Sequence, residues 1–357
     1  MNSGDPHTGG KTGGKIPWMA VLLGSVAVLI VAFAVTFDFW FASFANDAPK
    51  VGTTVPTTVE GTQAASTAAF APSSPASSGS APASQGTPAA ANVFSPFGQT
   101  KMPDGEYGKV VKLGQLVFTN TRQYAGKYVG NSLSCANCHL DAGRKPDSAP
   151  LWAAFVHYPA YRSKTGQVDT LASRIQGCFE FSMNGKAPPL DDEVITALQT
   201  YAFWLAKGAP VGTTIPGSGY PKLKAPASPA DYARGEKLFA ANCVLCHGAD
   251  GQGQKSGNDQ VFPPLWGPQS YNWGAGMHQL ANAAGFIQAN MPLGKGGTLR
   301  DQDAWDLAMF MNSHERPQDP RFAGSVAATR KKYHDSEDSM YGRTVGGHVL
   351  GSAAAAP

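Results

Sequence analysis

The sequence is poor in charge. Lysine, arginine, aspartate and glutamate make up only 15% of its 357 residues, against about 25% in an average soluble domain. A large share of the chain must therefore be apolar or featureless. Nor does the charge lean far either way. The 28 basic and 25 acidic residues leave a formal +3, which excludes a nucleic-acid binder working through bulk positive charge. Cysteine is scarce and odd in number: five cannot all pair in intrachain disulfides. At roughly 100–200 residues per domain, the length allows two domains plus extras.

Charge is absent altogether between Lys15 and Asp38, and the 22 residues from Ile16 to Phe37 are almost wholly apolar. At ~1.5 Å per residue such a run crosses a hydrocarbon core of about 30 Å. A cleavable signal peptide has a shorter apolar region, roughly 7–15 residues. The expectation is an uncleaved, single-pass anchor over 16–44 in a bacterial inner membrane. Trp18 and Phe39-Trp40-Phe41 suit its two interfaces, and Lys11 and Lys15 put residues 1–15 in the cytoplasm. The rest of the chain then lies in the periplasm. From Val51 to Ala90, 33 of 40 residues are Gly, Ala, Ser, Thr or Pro, with Glu60 the one charge and Phe70 the one aromatic. That composition cannot offset the entropy of ordering, so residues 45–96 read as a disordered tether.

Beyond the tether, Cys135-Ala136-Asn137-Cys138-His139 and Cys243-Val244-Leu245-Cys246-His247 share one pattern, CxxCH. It is the pattern of c-type haem attachment: two cysteines form thioethers and the histidine ligates iron. A redox dithiol, the alternative for a single such motif, calls for a βαβ setting. Here the surroundings are helical. Val110, Val111, Leu113, Leu116 and Val117 precede the first motif at helical spacing, and Ala233, Leu238 and Phe239 precede the second after Asp231. After the first motif, Asp191-Asp192-Glu193 opens a helix through Val194, Leu198, Tyr201 and Leu205 to Gly208. After the second, Asp301 opens another, with Trp305, Ala308 and Met309 inward; acid in the first turn suits both.

This arrangement resembles the class I cytochrome c domain, whose terminal helices cross beside the haem. The resemblance implies an all-α protein with two haem domains in tandem, over 97–209 and 230–320. A Gly/Pro-rich connection over 210–229 joins them, a tail covers 321–357, and two haem c groups are covalently bound.

CxxCH supplies one axial ligand per iron. In the second domain Met291 lies 44 residues after His247, in the loop where class I cytochromes place a thioether, a ligand that raises the potential. Met277 and His278, in Gly274-Ala275-Gly276-Met277-His278, compete with it, and Lys295 is an alternative in an oxidised, switched state. In the first domain Met183 also lies 44 residues after His139, so the repeat nominates Met183. Cys178, however, is the unpaired fifth cysteine in the same loop, and thiolate is also a haem ligand. Spacing leaves the two even.

Residues Arg174-Ile175-Gln176-Gly177-Cys178-Phe179-Glu180-Phe181-Ser182-Met183-Asn184-Gly185 resemble the distal loop of the thiosulfate dehydrogenase family. So do Cys135 to Gly143, Val261 to Pro268, Gly274 to Met277 and Arg316 to Phe322, and the resemblance runs over roughly residues 100 to 345. It implies His139/Cys178 ligation at an active-site haem, and a second haem, with His247 and Met291, that passes electrons onward. Lys164 stands where that family usually has arginine, and Phe181 occupies a place often held by arginine.

The implied reaction joins two thiosulfate dianions into tetrathionate and removes two electrons. It needs fixed cations, a sulfur-reactive group and an electron sink. Arg162, Lys164 and Arg174 lie near Cys178 in sequence; arginine can grip an oxyanion with two donors and lysine acts as a point charge. The expectation is that Arg174 and Lys164 hold substrate beside Cys178, with Arg162 in support. In family terms Cys178 leaves iron, bonds one thiosulfate, and a second attacks the adduct. The acceptor expected is a small cytochrome c, a high-potential iron–sulfur protein or a terminal oxidase. Residues 231–320 carry six Lys/Arg against nine Asp/Glu, which favours a basic partner. Two rival readings remain open: a non-catalytic dihaem electron carrier using Met183, and a cysteine-ligated cytochrome subunit of a sulfur-oxidation complex.

Overall fold

Every third or fourth residue of helix α1 (Gly105–Thr119) is buried, namely Gly108, Val111, Gly114, Val117 and Phe118, the face expected of an amphipathic helix. The computed structural model describes Phe94 and residues 101–352 other than Asn258. The expected anchor over 16–44 and, apart from Phe94, the tether over 45–96 lie outside the described residues. Among those described, no helix is long and apolar enough to cross a membrane.

The first domain continues through α2 (Leu151–His157), α3 (Leu171–Gly177) and α4 (Glu193–Leu205). Asp192 starts α4 by accepting a hydrogen bond from the Val194 amide at 2.9 Å, satisfying one of the orphan donors at a helix start. Helices α1 and α4 cross at Gly114, where an added Cβ would stand 2.1 Å from the Ala197 carbonyl oxygen and 2.7 Å from Tyr201 Cβ. Only glycine permits that approach.

The second domain repeats the device. Helix α5 (Tyr232–Asn242) crosses α7 (Asp301–Asn312), and α6 (Leu280–Asn290) packs on α7. At Gly235 an added Cβ would lie 2.1 Å from the Asp306 carbonyl oxygen and 2.7 Å from Phe310 Cβ. Beside it Arg234 grips the buried Asp306 carboxylate through Nε at 2.7 Å and Nη2 at 2.8 Å. One core gathers around Trp152, Phe179 and Tyr201; the other gathers around Trp273, Trp305 and Tyr341, and Met277 touches both.

Three departures from a purely helical plan appear. Short antiparallel hairpins form at β1 (Ala160–Arg162) with β2 (Gln167–Asp169), β3 (Gln254–Ser256) with β4 (Asp259–Phe262), and β5 (Thr344–Val345) with β6 (His348–Val349). Strands of two to four residues carry too little alternation to read from sequence. The expected connection, 210–229, is packed: Ile215 rests on the first core and Leu223 on the second, and the carbonyls of Gly217 and Gly219 accept from the Asp147 and Ala149 amides. Residues after 320, expected as a tail, form α8 (Val326–Tyr333) and the β5–β6 hairpin, and return Tyr341 and Leu350 to the second core at 0% and 2% exposure.

Candidate active site

A cavity of about 1060 Å³ opens beside the first CxxCH motif, lined by Cys135, Cys138, His139, Cys178 and Met183. That is the upper end of the ~300–1,000 Å³ usual for ligand sites. His139 Nδ1 lies 2.6 Å from the Ala149 carbonyl oxygen. A carbonyl only accepts, so Nδ1 carries the proton and Nε2 keeps its lone pair for a metal. His247 is held the same way, with Nδ1 at 3.0 Å from the Pro263 carbonyl. Burial lowers the pKa of both imidazoles, keeping them neutral as ligands must be.

Cys135, Cys138 and Cys243 differ from the cysteines of a redox dithiol, which have a depressed pKa. Burial pushes the Cys135 thiol up to about 12 and those of Cys138 and Cys243 up to about 11. Such sites favour an uncharged sulfur, as in a thioether. Arg316 adds a further sign of fit. It is 3% exposed, sits 4.2 Å over the Tyr271 ring, and its Nε has no partner among the described residues. A buried guanidinium with a spare donor suits an anionic group such as a haem propionate. The residues present fit c-type haem at both motifs.

On the far side of the sequence repeat, α3 is capped by Thr170, whose side chain accepts from the Ser173 amide at 3.1 Å. It runs into a single π-helical turn over Cys178–Ser182, a conformation frequent at functional sites. Arg174 and Cys178 fall one helical turn apart, and Arg174 Nη1 donates to Cys178 Sγ at 2.8 Å. The Cys178 sulfur in turn favours the charged guanidinium, raising its pKa. Met183, at the end of the π turn, is 2% exposed and also lines the cavity.

Arg162, Lys164 and Arg174 all line the same cavity, so the structure brings together the cations nominated from sequence. They are not equivalent. Arg162 Nη1 is tied to the buried Asp169 at 2.9 Å across the β1–β2 hairpin. Lys164, in the hairpin turn, donates to the Gly274 carbonyl at 2.6 Å and stands 3.4 Å over the centre of the Phe181 ring.

At the second motif, Met291 directly follows α6 and packs half-buried against the second core, whereas Lys295 is exposed. Met277 lines the cavity beside the first motif. Sequence reasoning missed several residues of that cavity: Tyr220 from the connecting segment, and Arg321 and Tyr333 from the C-terminal segment; His278, a candidate ligand of the second iron, lines it too. Arg321 alone carried a signal, as part of the Arg316–Phe322 stretch.

Comparison with known proteins decides the family. Residues 121–211 match the family described as SoxA/TsdA, cytochrome c domain, and residues 232–315 match Cytochrome c. The thiosulfate dehydrogenase of Thiomonas intermedia (strain K12) is 55% identical over 262 residues, 73% of this chain and 83% of that protein. The chain belongs to the thiosulfate dehydrogenase family. The thiosulfate dehydrogenase of Stutzerimonas stutzeri (strain A1501) is 52% identical over 265 residues, 74% of this chain and 86% of that protein. A solved structure, "Thiosulfate dehydrogenase (TsdBA) from Marichromatium purpuratum" in its "as isolated" form, superposes with a TM-score of 0.70 at 51% identity. The match covers 74% of this chain and 58% of that one. As a thiosulfate dehydrogenase family member, the protein is an oxidoreductase built of two tandem cytochrome c domains, with two covalently bound c-type haems.

Proposed function

We propose that the protein oxidises two thiosulfates to tetrathionate in the cavity beside His139 and Cys178. The second haem, when bound, would supply the route for electrons to an external acceptor. His139 and Cys178 would hold the iron of the first haem, and His247 and Met291 that of the second. The observation that carries the reading is the 2.8 Å contact of Arg174 Nη1 with Cys178 Sγ in a cavity also lined by Lys164. It puts a half-buried, permanently charged guanidinium on the one cysteine outside the attachment motifs.

The chemistry the haems supply when bound is one-electron acceptance at each iron, matching the two electrons released as two thiosulfates join. The chain's own residues do the rest. Arg174 and Lys164 offset the repulsion between two dianions, and Arg174 orients Cys178. The half-buried Tyr158 and Tyr220 and the buried Tyr271 in the cavity walls limit water and strengthen those charges. A small cytochrome c, a high-potential iron–sulfur protein or a terminal oxidase is proposed as acceptor. The proposed setting is the periplasmic face of the inner membrane, to which residues 16–44 anchor the chain.

The test is thiosulfate-dependent ferricyanide reduction by purified wild type and Cys178→Ala. Wild type should be active and the variant nearly inert. An inactive wild type, or a fully active variant, overturns the reading. Low-temperature electron paramagnetic resonance of the first haem should lose a thiolate-type signal in the variant.

A further inference from the structure

Two sulfur dianions must meet in one cavity, and the product carries a sulfonate at each end. This chemistry asks for two anion subsites, and only one has been assigned, at Arg174 and Cys178. A second group of cations stands where the C-terminal segment closes the cavity. Arg321 is held from several directions. Its Nε and Nη2 donate to the buried Asp319 carboxylate at 2.9 and 2.6 Å, and the guanidinium lies 5.0 Å from the Phe181 ring centre and 4.3 Å from that of Tyr333. Its side chain is 19% exposed and it lines the cavity. Nη1 makes no hydrogen bond among the described residues.

Asp319 is itself fixed, accepting from His334 Nε2 at 3.0 Å and from the Arg321 amide at 2.9 Å. His334 in turn meets His278 at 3.2 Å. Burial would raise the Asp319 carboxyl, but the hydrogen bonds from His334 and Arg321 hold it well below the ordinary carboxylate range. The partner that orients Arg321 therefore stays charged. Lys164 has no carboxylate partner among the described residues, and Arg321 is the foremost charge acting on it. Two cations thus flank Phe181, where the family resemblance leads one to expect an arginine. Asp319 offsets only one of these two charges, so the site keeps a net positive charge that a bound anion would neutralise.

We infer that Arg321 is a substrate-binding residue that forms, with Lys164, a second anion subsite in the cavity. This subsite takes the sulfonate of the second thiosulfate and the far sulfonate of tetrathionate. The inference rests on the thiosulfate-oxidising reading above. Asp319 is then a positioning residue, acting through Arg321. The guanidinium that Phe181 does not supply comes from a different part of the chain.

The test uses the full-length dihaem protein. Steady-state thiosulfate oxidation with ferricyanide is compared in wild type, Arg321→Gln and Arg321→Lys. Calorimetric binding of tetrathionate to each oxidised protein, with no electron donor present, gives affinity without turnover. Because Arg321→Gln leaves Asp319 short of a partner, Asp319→Asn/Arg321→Gln is made alongside, removing both charges together. Arg321→Gln and the double variant should raise KM for thiosulfate and the Kd for tetrathionate about tenfold, the usual loss for one charge-assisted hydrogen bond. In both, kcat should change little, and Arg321→Lys should recover part of the affinity. KM and Kd within about twofold of wild type in either folded variant overturn the inference. So does a loss confined to kcat or melting temperature that Arg321→Lys does not relieve. A wild type that fails to oxidise thiosulfate sinks the parent reading instead, and the tetrathionate titration still decides the subsite.

Discussion

Lys164 Nζ donates to the Gly274 carbonyl at 2.6 Å, linking the hairpin turn of the first haem domain to a loop of the second. Burial, and then Arg321, Arg174 and Arg162 in that order, bring its pKa down to about 7. The ammonium is therefore charged below that pH and loses its charge as pH rises through it. In free enzyme, kcat/KM for thiosulfate should fall as pH rises between about 6 and 8. Lys164→Arg, which keeps its charge, should flatten that limb. Initial rates across the range, at fixed ionic strength, give the profile; an unchanged slope in the variant would remove Lys164 from substrate binding.

Gly114 and Gly235 make the helix crossings of the two domains. Alanine at either drives Cβ to 2.1 Å from a backbone oxygen, which helix backbones can relieve only by moving apart. Each substitution should cost about 1–3 kcal/mol. Calorimetric melting should show a lower transition for the substituted protein, with haem still attached.

The Arg234–Asp306 pair should show itself in acid. Burial alone would raise Asp306, yet the hydrogen bonds from Arg234, the Asp231 amide and Gln302 bring it below its usual value. A depressed carboxyl contributes stability above its unfolded pKa and loses it as pH falls through the folded value. The second domain should therefore melt progressively earlier below about pH 4. With Arg234 half exposed, Asp306→Asn should cost about 1–3 kcal/mol at neutral pH and weaken the acid dependence. Melting curves at several pH values decide.

Met291 gives a redox prediction. If its thioether holds the second iron, Met291→Leu should move one of the two reduction steps to a more negative potential. Met277→Leu should leave that step in place, since Met277 lines the other cavity. Spectroelectrochemical titration separates the two, and the reverse pattern would reassign the ligand.

Much of the fold was legible because its signals are local. Asp192 and Asp231 lie where the sequence has a helix begin, and each caps its helix by accepting from the amides of Val194 and Arg234. The two CxxCH motifs each state their chemistry within five residues. Cys178, Arg174 and Lys164 share the sequence neighbourhood of one loop, and one cavity collects them. The hairpins were not legible, since two or three paired residues leave no periodic trace. Tyr220, Arg321 and Tyr333 were not legible as cavity residues either. Apart from the motif that holds Arg321, nothing in their own surroundings marks them, and no local pattern encodes a partner more than forty positions away; long-range packing brings them there.

The closing of that cavity by Arg321 and Tyr333 also sets an order of events. These residues leave the ribosome long after the motif around Cys135 has emerged. However soon the first domain acquires its helices, its cavity lacks a wall until residues 321–333 have been made. A chain interrupted after residue 320 would carry both attachment motifs and still present an unfinished pocket. Residues 321–333 thus finish a cavity that the first haem domain begins.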